Sequence, residues 1–78
     1  MGNKPYTDIM EGKKDSNIHF SDLRRVLESK GFVCRIKGDH FIYTHTEVSE
    51  IVNIQPKGNM AKPYQVKQVR QLFQKYCF

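Results

Sequence analysis

The stretch "FSDLRRVLESKGFVCRIKGDHFIYTH", residues 20–45, passes from one hydrophobic period to another. Leu23, Val26, Leu27 and Lys30 recur at helical spacing, an apolar stripe finished by the aliphatic stem of a lysine. Ser21 is expected to cap this helix through its hydroxyl, and Asp22 suits the positive helix end. Gly31 takes the left-handed conformation that closes it. From Phe32 onward the residues are β-branched and aromatic, "FVCRIK" and "HFIYTH", joined by Gly38-Asp39. That pattern reads as an antiparallel hairpin in which Gly38 supplies a backbone conformation other residues resist. One short helical stripe is marginal alone, so it must pack on the sheet.

Working outward, "IVNIQ" reads as a third strand, stopped by Pro56, which cannot donate to a ladder. "HTEVSE" is a polar connection before it and "PKGNMAK" a loop after it. Pro63 suits the first helical position, and Val66, Val69, Phe73 and Tyr76 follow at helical spacing with Leu72 beside them. The predicted order is α-β-β-β-α, an α+β fold with a three-stranded antiparallel sheet and two helices on one face. Alternation puts Phe41, Tyr43 and His45 on one sheet face and His40, Ile42 and Thr44 on the other. Two aromatics outweigh Ile42 as core material, so His40 is expected to point outward. Residues 1–17 are polar and rich in Gly, Lys and Asp. They read as an arm with one helical turn around Tyr6–Met10, preceding a domain over residues 18–78.

A chain of 78 residues builds only a thin core. Its net charge of +5 is unevenly placed. Residues 1–50 hold eight acids and eight bases, whereas residues 51–78 hold Lys57, Lys62, Lys67, Arg70 and Lys75 and no acid. A one-signed segment favours phosphate or an acidic protein partner. No apolar run approaches the ~20 residues that span a bilayer. The N-terminus carries neither a signal-peptide core nor the Ser or Thr of a myristoylation signal, so the expected location is cytoplasmic. Cys34 and Cys77 lie far apart without a C-x-x-C pattern, and read as small hydrophobes, buried or partly so.

The chemistry open to these residues is narrow. His40 and His45 are five apart on one predicted strand and face opposite sides, so they cannot chelate one ion. Asp39 with His40 alone is too sparse for zinc, and neither a metal nor another cofactor is expected. A nucleophile turn and a phosphate-binding glycine loop are both missing. RNA strand scission needs little more than a histidine and cations, because the substrate carries the nucleophilic 2′-hydroxyl. Proton transfer by a histidine is worth roughly 10²–10⁴-fold. His40 is the candidate proton carrier, with Lys37, Lys57 and Lys62 as candidates for the phosphate. The competing reading is a solvent-facing turn residue.

Residues 20–45 resemble the HicA toxins of bacterial HicA–HicB toxin–antitoxin pairs. Those proteins open with a Ser-Asp-Leu helix, leave it through Gly and an aromatic residue, and reach a Gly-Ser-His motif. "IQPKGNMAKPYQVKQVRQLFQKY" is similar to the closing loop and helix of a longer subgroup, which also shares a lead-in like Gly12–Leu23. The resemblance covers about residues 10–76. It implies a double-stranded-RNA-binding-domain-like fold and a metal-independent endoribonuclease cleaving mRNA. It makes His40 catalytic, with Gly38 and Asp39 shaping the turn, and implies neutralisation by a HicB-type antitoxin that covers the histidine. Lys37, Lys57, Lys62, Lys67 and Arg70 are then candidates for RNA binding. Asp39 stands where Ser is usual and Phe41 where a second His is often found. A carboxylate beside the imidazole can orient it, and also repels phosphate. The alternative from the same fold is a non-catalytic module that binds duplex RNA by shape and phosphate contacts.

Overall fold

The computed structural model describes residues 4–78. The first three residues, which bear on the lipid-anchor reading, lie outside them. The elements are α1 (Lys4–Glu11), a 3-10 turn (Asp15–Asn17), α2 (Phe20–Ser29), β1 (Val33–Lys37), β2 (His40–His45), β3 (Val48–Ile54), a short hairpin of β4 (Pro56–Lys57) and β5 (Met60–Ala61), and α3 (Pro63–Tyr76). The sheet order is β1-β2-β3, antiparallel throughout, as the sequence pattern predicts.

Tyr43, Val52 and Ile54 point from the sheet into a core shared with Leu23 and Leu27 of α2 and with Val66, Val69 and Phe73 of α3. Burying each such side chain is worth roughly 1.5–3 kcal/mol. Tyr43 also ties β2 to α2, because its hydroxyl accepts from Arg24 Nε at 2.9 Å and donates to Glu28 Oε2 at 2.8 Å. Burial pushes that phenol well above its ordinary pKa, with the Glu28 hydrogen bond adding to the shift and Arg24 opposing it. The opposite sheet face is open: Val33 is 68% and Ile51 61% exposed.

Five local expectations are corrected. Residues 4–17 are no loose arm. Ile9 of α1 is fully buried, and Tyr6 and Met10 pack on the core. Lys30, expected as the tail of the α2 stripe, reaches over the Tyr6 ring at 4.3 Å. Ser21 is not the cap of α2: the helix begins at Phe20, His19 occupies the cap position, and its side chain makes no capping bond. The third strand starts at Val48 rather than Ile51, so the connection before it is shorter than expected.

The last correction concerns residues 56–61, which form a hairpin rather than a loop. The turn uses Gly58 at φ +61°. Phe20 N–H donates to Asn59 O at 2.9 Å and Ala61 N–H to Ile18 O at 2.8 Å, fastening this hairpin to the start of α2. Cys34 is half-buried against the core as expected, but Cys77 is exposed, in the left-handed region at φ 59°. None of the helices among the described residues is long and apolar enough to cross a membrane.

Candidate active site at the β1–β2 turn

His40 owes its position to the turn before it. Gly38 has φ +62° while Asp39 keeps a negative φ, a pattern that fits a type II′ connection of two residues. The turn sets Lys37 directly opposite His40 in the ladder, and the two share the open sheet face. Strand parity puts Asn53 of β3 on that face too, since its register partner is Ile42. The His40 side chain is 46% exposed.

A chain of polar contacts fixes the imidazole. His40 Nδ1 lies 3.1 Å from Asn53 Oδ1. An amide oxygen can only accept, so Nδ1 carries a proton, and in the neutral ring Nε2 keeps its lone pair. The Gln55 amide nitrogen lies 3.4 Å from His40 Nε2 and donates to it. Its second hydrogen goes to Asp39 Oδ2 at 3.2 Å. Lys62 Nζ donates to Gln55 Oε1 at 3.4 Å. Gln55 is itself held from behind, because its backbone N–H donates to Oε1 of the buried Gln65 at 3.1 Å. Every donor in this chain has a matching acceptor when His40 is neutral.

The arrangement changes once Nε2 gains a proton. Asp39 Oδ1 stands 3.8 Å from Nε2, close enough to pair with an imidazolium. An incoming hydroxyl therefore reaches the Nε2 lone pair by displacing the long Gln55 contact, and Asp39 supplies a carboxylate for the cation that results. Among the described residues no three His, Cys, Asp or Glu side chains converge as a metal-ligand set.

The basic segment divides into two groups. Lys57 and Lys67 are exposed, and Lys62 is half-exposed beside Gln55. Arg70, expected among the RNA-binding residues, instead clamps the N-terminal segment. Its guanidinium meets Asp15 at 2.8 and 3.0 Å and also donates to Ile9 O at 3.0 Å. Lys75 pairs with Glu50 at 2.6 Å. Hydrogen bonds from Lys75 and Tyr76 pull the Glu50 carboxyl down to about 2. Asn53 and Gln55 were missed as site residues. Strand alternation and hairpin register carry the signal for Asn53, but nothing local marks Gln55.

The family model described as the HicA toxin of bacterial toxin–antitoxin systems matches residues 20–74. The chain belongs to the HicA toxin family. It is therefore a toxin of a toxin–antitoxin pair, with a cognate antitoxin as partner. The HicA match spans α2 through most of α3 and includes the whole polar chain around His40, while α1 lies before it. No curated protein and no solved structure matches the chain.

Proposed function

We propose that this HicA-family toxin is an endoribonuclease that cleaves mRNA at the 2′-hydroxyl, with His40 as the proton carrier. In the reaction the 2′-oxygen bonds to phosphorus and the P–O5′ bond breaks. The 2′-hydroxyl proton passes to His40 Nε2, and solvent protonates the leaving 5′-oxygen. Lys37, opposite His40, and Lys62, one side chain away through Gln55, offset the charge on the phosphorane. Lys57 and Lys67 hold the flanking RNA. A single proton-transfer side chain makes for a slow nuclease. The neutralising partner is a HicB-type antitoxin that covers His40.

The observation that carries this reading is the Asn53–His40 hydrogen bond, which holds the imidazole in the tautomer a general base needs while leaving Nε2 at the surface. A turn histidine without a role has no requirement for an orienting acceptor. Incubating wild type and His40→Ala with RNA in the presence of a chelator tests the proposal. Cleavage by wild type alone supports it. Equal cleavage by both, or by neither, refutes it.

A further inference from the structure

Nine aromatic residues occur in the chain, and none is a tryptophan. Eight of them are buried or half-buried in the described structure. Tyr64 is the exception, 63% exposed in the first turn of α3. Its position ties it to the site. Lys62, the cap residue of α3, reaches Gln55, and Gln55 reaches His40. Gln65, next to Tyr64, points inward to hold the Gln55 backbone, so the tyrosine at the adjacent position projects from a rigidly anchored turn. Lys67, three residues on along the same helix surface, is exposed.

An exposed ring among cations suits the face of a nucleobase, which stacks without regard to sequence. The open sheet face offers no tyrosine or phenylalanine for this, because its exposed large hydrophobic side chains, Val33 and Ile51, are aliphatic. A base within an A-form duplex is stacked on its neighbours and presents only its edges, so a ring of this kind selects unpaired RNA.

We infer that Tyr64 is a base-stacking residue for single-stranded RNA, holding a nucleobase beside the phosphate attacked by the 2′-oxygen that His40 deprotonates, with Lys67 on the next phosphate. This rests on the endoribonuclease reading for its substrate, and its test is kept separate from catalysis. A 2′-O-methyl oligoribonucleotide lacks the nucleophile and stays intact, so it reports binding alone. Replacing Tyr64→Trp introduces the chain's sole tryptophan, and stacking quenches its fluorescence. Expected are quenching by the single strand, little by a duplex of equal length, and affinity weakened about 5- to 100-fold in Tyr64→Ala but less than about threefold in Tyr64→Phe. Unchanged affinity in Tyr64→Ala overturns the inference, as does equal quenching by duplex. If His40-dependent cleavage persists in that case, the nuclease reading survives without the stacking residue. Weakened affinity in Tyr64→Ala, together with a wild type that cuts no RNA, sustains the stacking and overturns the nuclease reading.

Discussion

Asn53 Oδ1 accepts a hydrogen bond from His40 Nδ1 at 3.1 Å across the open face of the sheet, with the two residues drawn from neighbouring strands. The relationship decides which imidazole nitrogen faces solvent. Without an acceptor at position 53 the ring is free to rotate and exchange tautomers. Asn53→Leu is expected to lower kcat by about 10- to 100-fold with little change in KM, since placement rather than binding is lost. Asn53→Asp keeps an acceptor and should restore most of the rate. Steady-state cleavage of an RNA oligonucleotide by the two variants measures the split.

Asp39 lies beside Nε2 of the imidazole and, on the proposed function, places a negative charge where phosphate approaches. Replacing Asp39→Ser removes that repulsion and lowers KM by about 2- to 5-fold, the scale of an exposed charge pair. The gain should shrink as salt is added. Titrating KM against ionic strength for both proteins tests this.

Arg70, an RNA-binding candidate by sequence, is engaged instead in a clamp within the fold. Its clamp on Asp15 and Ile9 O is largely enclosed, with 15% and 23% of the two charged side chains exposed. Arg70→Met should cost about 1–3 kcal/mol, below the penalty for breaking a fully buried pair. That corresponds to several degrees or more in Tm for a domain of this size. Affinity for RNA should stay at the wild-type level, whereas Lys67→Ala weakens it. Thermal melts alongside binding isotherms distinguish the two roles.

Glu50 links stability to pH. Its folded pKa of about 2 lies below the ordinary value of 4.5, lowered chiefly by Lys75 and then by Tyr76. The folded state therefore binds its proton less readily than the unfolded state. The stabilisation is present above about pH 4.5 and is lost as pH falls toward 2. In Glu50→Gln, the part of the acid destabilisation that falls between pH 4.5 and 2 should be smaller than in wild type. Chemical denaturation at stepped pH is the measurement.

The sheet and the two helices that sandwich it in sequence were legible because their periods are local. Leu23, Val26 and Leu27 repeat within one helix, and the alternation from His40 to His45 sorts core from solvent without reference to partners. A helical turn around Tyr6–Met10 was legible too, but its docking on the core was not, because Tyr6, Ile9 and Met10 are few among polar residues. Their burial depends on distant groups: Tyr6 hydroxyl donates to Phe78 O at 2.6 Å, and its ring stacks with that of Phe73. Pro5 near the start of α1 and the i, i+3, i+4 spacing of those three residues were the available signs. Charge counting failed in a related way. It located the surplus in residues 51–78 but could not show that Arg70 is matched by Asp15, fifty-five positions away. His40 was legible from its turn; Gln55 was not, because its role comes from meeting Asp39, Lys62 and Gln65 in space.

The measurement that bears most directly on the central claim is single-turnover cleavage of an RNA oligonucleotide, in chelator, by wild type and His40→Ala. The account predicts cleavage by wild type, a 2′,3′-cyclic phosphate on the upstream product, and a rate at least about 100-fold lower in the variant. Equal rates in the two proteins, or a product bearing a free 3′-hydroxyl, would contradict it.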